Sequence, residues 1–506
     1  MAPCILGIDS GLTVTKAVVF DATGQPLAIA RRRLPQLMPQ PRHVERDMDA
    51  LWSATAEAIA EALQTSGRAA DIAAVAATAH GDGLYLLDAA CRPLGPGILS
   101  LDSRAGDVAA TWATDGTAAA ALPLSGQVPH ASAPATLLAW LRANDPARFA
   151  RIAHILSCKD WLRFCLSGTI GTDLTEASTS FTNVKTQAYD AEILLLYGLS
   201  ALAPALPPAA LPDQVIGHIT GTAARLTGLG AGTPVMAGLH DVTASALGAG
   251  GHGPGRVAIV AGTYSINETV SNTPKTDPRW FCRNGLRPGE WNTMAISPAS
   301  AANYDWVLDT FCGTDRARAE TEGTSIHALL RPEIEAALAR PSTVLFHPYL
   351  YGSPHGPQAS GSFTGLHGWH DRGDALRAVI EGIAFTHRVH VDALRDGFAI
   401  TDGWLTGGIS RSPLFAQIFA DALALPLSVS QTEEAAAWGA ALCAGAGVGR
   451  YAAATADPRD LTTLARRYIP NPETSANLQT RYALHCAIAE SLTPLWPQIE
   501  ALADAT

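Results

Sequence analysis

Four short stretches of this 506-residue chain bring together residue types suited to phosphate or proton chemistry. The first is Asp9-Ser10-Gly11-Leu12-Thr13-Val14-Thr15-Lys16. An acidic residue closing an apolar run, followed by a turn of small residues, can aim several backbone N–H groups at one phosphate. Asp9 in that place suits Mg²⁺, which keeps most of its water when bound, and the ammonium of Lys16 suits phosphate charge. The chain contains no Gly-Lys-Ser/Thr, and a strand follows the turn, so this is not a Walker loop. Taken alone, an ordinary Asp/Gly turn satisfies the same pattern. The second stretch, Val260-Ala261-Gly262-Thr263-Tyr264-Ser265-Ile266, is again a strand running into a small-residue turn with hydroxyls, suited to terminal phosphates.

In the third, Leu405-Thr406-Gly407-Gly408-Ile409-Ser410-Arg411-Ser412, two glycines let a ligand approach the backbone. Ser410 or Ser412 then caps a helix over 413–424 whose positive end faces the loop. The fourth is Asp241, between an apolar strand and a helix. That position serves a helix cap, and it equally serves a general base: a carboxylate near a helix N-terminus stays ionised and can take a hydroxyl proton as the oxygen attacks phosphorus.

Positioning these residues requires strands that end where they begin. Residues 5–9 and 16–20 read as two strands around the first turn, and 26–32 as a third. Leu51, Trp52, Ala56, Ile59 and Leu63 share one face of a helix over 49–64. Short strands are expected at 72–78, 84–87 and 234–239, with a helix from Asp241. The strand 256–261 opens a second half of similar order, and 433–441 reads as a helix of small residues able to pack closely on a neighbour. Strands followed by alternating helices and strands indicate mixed sheets with helices on them, an α/β fold. Gly248-Ala249-Gly250-Gly251-His252-Gly253 matches G-x-G-x-x-G, but it follows a helix and precedes a strand, so it reads as a linker. Domains are expected at 1–247 and 248–480, with a C-terminal helix over 481–506 packing back on the first.

At this length two domains are the natural expectation. A hydrophobic content of 47% with 16% charged residues describes a well-buried globular enzyme, and the net charge of −11 argues against a nucleic-acid or anionic-membrane surface. The eight cysteines form no C-x-x-C pair and read as buried thiols of a reducing compartment. The N-terminus has no signal-peptide pattern, and no apolar run approaches the ~20 residues of a membrane span, so a cytoplasmic location is expected.

In order and spacing, these pieces resemble the FGGY carbohydrate kinases. The resemblance rests on Asp9-Ser10-Gly11…Lys16, Lys159-Asp160-Trp161-Leu162, Gly238-Leu239-His240-Asp241, Gly262-Thr263 and Gly407-Gly408-x-Ser410-Arg411-Ser412. It rests also on Gly361-Ser362-Phe363-Thr364-Gly365-Leu366 with 375–382 downstream, and it covers nearly the whole chain. It implies two ribonuclease H-like, actin-like ATPase domains with an interdomain cleft for ATP and Mg²⁺. It further implies that Asp9 acts in metal and phosphate positioning, and that Ser10, Gly11, Thr13 and Lys16 line one phosphate loop. Gly262 and Thr263 would line the other, Gly407, Gly408 and Ser410 would hold adenosine, and Asp241 would be the base. The sugar would lie near His80, Gly81, Asp102, Arg104 and Asp241. The expected partners are a small sugar or polyol and, in assembly, a second copy as a homodimer. Pro348-Tyr349-Leu350-Tyr351-Gly352-Ser353 is most similar to xylulose kinases of the L-xylulose type, whereas 78–83 is similar to erythritol kinases, which carry Gln where this chain has His80. The rivals are a chaperone-like or actin-like ATPase without a sugar substrate, and a sugar sensor that has lost catalysis.

Overall fold

The structure, a computed structural model, describes residues 3–356 and 358–503. They fall into two compact units, each an α/β body. The first comprises the chain up to Gly253 together with Val270–Thr293 and Thr432–Leu464; the second comprises Pro254–Thr269, Met294–Gln431 and the chain from Ala465.

The main sheet of the first unit runs Val215–His218, Pro234–Met236, Ile72–Ala79, Cys4–Ser10, Val14–Phe20, Pro26–Arg33, with Leu239–His240 also paired to Ile72–Ala79. Strand alternation explains how it is covered, because successive side chains point to opposite faces. Leu6 and Ile8 join Leu51, Ile59 and Leu63 of the helix Met48–Ser66 in one core. Ile5, on the other face, packs with Ala437, Trp438 and Ala441 of the helix Ala435–Gly447. Gly7 also faces that helix: a Cβ there would lie 2.1 Å from the Ala437 carbonyl oxygen. The same helix lies against Asp241–Ala249, and Cβ atoms at Gly439 and Gly248 would fall 2.0 Å from Ala244 O and 1.8 Å from Ala435 O. The small residues noted at 433–441 are what allow these close approaches.

The Lys159-Asp160-Trp161 signature fixes the helix Cys158–Ser167 in this unit. Lys159 Nζ sits 2.6 Å from Asp160 Oδ1 and 3.0 Å from Asp173 Oδ1, all buried, and donates to Ala237 O. Ser157 and Asp160 form a capping box.

In the second unit, Arg256–Ala261 pairs antiparallel with Ser265–Ser271 and parallel with Asp402–Thr406, which is followed by Leu427–Ser430 and Ala465–Tyr468. Helices Arg372–Gly397, Pro413–Leu423 and Pro472–Leu492 belong to this unit.

Three expectations change. The strand anticipated over 234–239 is two strands, Pro234–Met236 and Leu239–His240, because Gly238 breaks it at φ +77°. Nor is 248–480 one contiguous body. Stretches 270–293 and 432–464 belong to the first unit, where the helix Ala435–Gly447 covers a sheet face. The C-terminal helix belongs to the second unit, where His485 stacks on His347 and packs against Phe385. Of the expected 481–506 segment, 504–506 lie outside the described residues.

Candidate active site

Register gathers the acidic residues of the first unit. Asp9 pairs with Thr78 across parallel strands and with Lys16 across the hairpin, while His240 pairs with Ala79. Asp9, His80-Gly81 and Asp241 therefore emerge together at the carboxyl ends of adjacent parallel strands, the edge where open α/β sheets bind ligands.

The turn after Asp9 is braced from beneath. Gly11 N donates to Val14 O at 2.9 Å, and the buried Arg46 guanidinium donates to the carbonyls of Gly11 and Leu12. Ser10 is fully buried, whereas Thr13 is exposed at the turn's tip. Lys16 Nζ lies 2.8 Å from Glu434 Oε2 and 3.4 Å from Asp9 Oδ2. Burial opposes the charge of Lys16, but the two carboxylates outweigh it and hold the ammonium above the usual lysine range. Burial likewise lifts the Asp9 carboxyl above its ordinary range despite Lys16 beside it.

Asp241 is the first residue of its helix, and the cap is His240, whose Nδ1 lies 3.3 Å from Val242 N. Some 32% of the Asp241 side-chain surface is open. Desolvation, with the Asp9 carboxylate adding to it, nevertheless pushes its pKa up to about 7, against the backbone N–H groups of Val242 and Gly81. Such a carboxyl is poised to take a proton near neutrality.

A polar cluster lies beside it. His80 is buried with Nε2 3.2 Å from Tyr85 Oη, and burial, with Arg46 nearby, lowers its pKa to about 3, so it is neutral. Gly81 is required at its position because a Cβ would lie 1.8 Å from His240 Nε2. Asp82, at φ +58°, holds the buried Arg283 through Nη2 at 3.0 Å. Arg283 Nε donates to Gln127 Oε1 at 3.1 Å, and its Nη1 lies 3.4 Å from His240 Nε2. Asp102 and Arg104 form a network of their own: Arg104 Nη2 lies 2.7 Å from Asp102 Oδ2 and 2.6 Å from Glu45 Oε1, and Val44 N donates to Asp102 at 2.7 Å. Their charges neutralise one another inside the fold.

In the second unit, Val260 pairs with Thr406, so the turns at Gly262-Thr263 and Gly407-Gly408 leave neighbouring strands at one edge. Gly407 adopts φ +99°, and a Cβ there would meet Ala261 O at 2.4 Å. Ala301 N donates to Gly262 O, and Thr263 is exposed. Ser410 is buried and donates to Gly407 O at 2.7 Å, closing the turn, while Ser412 caps Pro413–Leu423. Beside this turn lies a cavity of about 530 Å³ bordered by Tyr304, His327, Gly408, Ile409, Arg411 and Phe415. That volume accommodates a nucleoside.

Sequence reasoning missed Arg46, Asp82, Gln127, Arg283 and Glu434 as contributors to these sites. Their partners lie 34 to 418 residues away along the chain, and no local pattern marks them.

Comparison with known proteins places the whole arrangement. Residues 4–248 match the N-terminal domain of the FGGY family of carbohydrate kinases, and residues 257–448 match its C-terminal domain. The chain is 32% identical over 483 residues to an L-xylulose/3-keto-L-gulonate kinase of Escherichia coli strain K12, covering 94% of this chain and 95% of that protein. It is 32% identical over 494 residues to a probable L-xylulose kinase of Pasteurella multocida, covering 96% and 98%. The crystal structure of xylulose kinase from Rhodospirillum rubrum superposes with a TM-score of 0.84 at 28% identity, covering 97% and 99%. Two mixed sheets carrying helices, each with its turns at one sheet edge, are the expected actin-like architecture, and this chain belongs to the FGGY family of carbohydrate kinases, the sugar phosphotransferases.

Proposed function

We propose that this kinase transfers the terminal phosphoryl group of ATP to a terminal hydroxyl of a ketopentose, xylulose of the L series, with Asp241 as general base. The observation that carries the reading is the Asp241 carboxyl, poised at about 7 beside Asp9 and the His80-Gly81 turn. The sugar kinases to which the chain is similar support the choice of ketopentose. Asp241 orients the acceptor hydroxyl and takes its proton as the oxygen attacks phosphorus, in a transfer that rests mainly on positioning and charge stabilisation. His80, neutral, and the Gly81-Asp82 backbone border the acceptor; Asp102 and Arg104 shape that side of the unit without offering a free charge.

Gly11, Thr13 and Lys16 form one phosphate loop, with Ser10 beneath it, and Gly262 and Thr263 form the other. Gly407, Gly408 and Ser410 hold the nucleoside, which the cavity beside Gly408 has the size to receive. Asp9 suits Mg²⁺. Among the described residues no cluster of three metal-ligating side chains occurs, and magnesium bound with a nucleotide takes one or two protein carboxylates and otherwise water and phosphate oxygens. Magnesium bound there supplies charge neutralisation at the phosphates.

A coupled ADP-release screen over D- and L-xylulose, ribulose, erythritol, glycerol and 3-keto-L-gulonate tests the reading. L-Xylulose should give the highest kcat/KM. ATP hydrolysis independent of sugar would favour a chaperone-like ATPase, and no product with any acceptor would favour a sensor. Asp241→Ala should lower kcat by about 10²–10⁴-fold and leave ATP affinity intact; near wild-type turnover removes Asp241 from the role of base.

A further inference from the structure

The polar cluster beside Asp241 contains a continuous line of contacts running from Gln127 through Arg283 to His240. Asp82, in the left-handed backbone region at φ +58°, grips Arg283 through Nη2 at 3.0 and 3.3 Å. Gln127 Oε1 accepts from Arg283 Nε at 3.1 Å, and Gln127 is itself fixed by donating to Ser178 O at 2.8 Å. His130 Nε2 lies 3.8 Å from Asp82 Oδ1 on the far side. The guanidinium is buried and its orientation is set from two directions, leaving Nη1 aimed at His240 Nε2, 3.4 Å away. The other nitrogen of that ring, Nδ1, lies 3.2 Å from Asp241 Oδ1. The ring lies directly against Gly81, which leaves no room for a Cβ.

His240 is neutral, because burial, with Arg283 beside it, lowers its pKa to about 3. A neutral imidazole has one N–H and one lone pair. Guanidinium only donates. If His240 carried its proton on Nε2, that N–H would face Arg283 N–H, and the Nδ1 lone pair would face the carboxylate: two repulsions. With the proton on Nδ1, Arg283 donates to the Nε2 lone pair and the Nδ1–H dipole faces the carboxylate 3.2 Å away, two attractions to charged groups against the loss of one bond, the one Nδ1 accepts from Val242 N. Val242 N, which donates to Nδ1 at 3.3 Å, keeps a partner when that lone pair is taken up, since it also donates to the Asp241 carboxylate.

We propose that Arg283 and His240 are positioning residues for the Asp241 base: Arg283, held by Asp82 and Gln127, fixes the Nδ1–H tautomer of His240, and that N–H orients one oxygen of Asp241 so that the other faces the acceptor hydroxyl. The assignment of a tautomer by the bond made at the opposite ring nitrogen is general for histidine. This inference rests on the reading of Asp241 as base.

The direct test is ¹⁵N NMR of the histidine rings in the full-length protein at pH 7, with His240 identified by its loss in His240→Asn. Nδ1 should show the pyrrole-type shift and Nε2 the pyridine-type shift. In Arg283→Met the ring should move toward the opposite tautomer, and kcat should fall by about 10- to 100-fold, less than loss of the base itself, with KM for ATP unchanged. Asparagine at 240 can place an amide N–H where Nδ1–H stood, whereas glutamine imitates Nε2. His240→Asn should therefore keep more kcat than His240→Gln, and Arg283→Met added to His240→Asn should cost little further. A wild-type ring protonated at Nε2 or doubly protonated overturns the proposal, as does an equal loss in the two His240 variants. The wild-type tautomer and the Asn/Gln comparison stand even if Arg283→Met does not fold. They also separate this inference from the base assignment, because the tautomer is read without turnover, whereas full activity of Asp241→Ala would remove the base alone.

Discussion

At the scale of single residues, the site is organised around a carboxyl whose ionisation the fold disfavours. Asp241 must be a carboxylate to accept a proton, and desolvation with Asp9 nearby sets its pKa at about 7. kcat/KM for the sugar should therefore rise as pH increases through about 7 and level above it; a profile flat from pH 5.5 to 8.5 would contradict the assignment. The same shift has a consequence for stability. The unfolded carboxyl ionises near 4, so between there and about 7 the native state binds the extra proton, and stability falls as pH rises. Asp241→Asn should thus be more thermostable than the wild type at pH 8, with the gain shrinking toward pH 4; in a unit of this size each kcal/mol recovered shows as about 1–2 °C in a melting scan. Such a gain at the cost of turnover is the usual mark of a functional charge. Asp9 and Asp241 were legible in the sequence because each closes an apolar strand, and where a strand ends is local information. Asp102 and Arg104 stand two residues apart in the sequence, but their pairing with Glu45, across 59 residues from Arg104, is one that no local pattern discloses.

At the scale of elements, position depends on backbones that touch. The helix Asp241–Ala249 carries Asp241 as its first residue and lies against Ala435–Gly447 with no side chain between at Gly439 and Gly248. Gly439→Ala should destabilise the protein by about 1–3 kcal/mol in denaturant titration, because the new methyl meets Ala244 O and overpacked contacts cost that much. It should also lower kcat by displacing Asp241. In the second unit, Gly407 holds a positive φ against Ala261 O. Gly407→Ala should weaken ATP binding by about tenfold or more in calorimetry, since forcing a side chain into that conformation costs about 1–3 kcal/mol. Unchanged affinity would dissociate this turn from the nucleotide. The strand–turn–strand pattern was readable in both halves from alternation and turn residues. The break at Gly238 was not, because a single glycine in an apolar run looks the same whether it continues a strand or interrupts it.

At the scale of the whole chain, sequence order and spatial order part company. The first unit is assembled from three separate segments. The first of those segments ends at Gly253, inside the glycine-rich stretch expected to be a linker, but Gly248 and Ala249 of that stretch close the helix Asp241–Ala249 instead. The return of residues 432–464 was not foreseeable from composition, since a helix of small residues fits many apolar sheets equally well. A fragment ending at Gly253 lacks the helix that packs on Ile5, Val18, Phe20 and Leu247, and it lacks Arg283. It should be insoluble or bind hydrophobic dyes, with near-ultraviolet circular dichroism lost; a soluble, cooperatively melting fragment would show that the covering helix is dispensable.

Vectorial synthesis meets this segmental build directly. A ribosome finishes the strand bearing Asp9 and the strand that leads into Asp241 well before it reaches Ala435, and at the usual 5–20 residues per second the delay is on the order of 10–40 s. Throughout that interval one apolar face of a nearly complete sheet has no native cover, which makes the nascent chain a client for holdase chaperones and its yield sensitive to codon usage between the two halves.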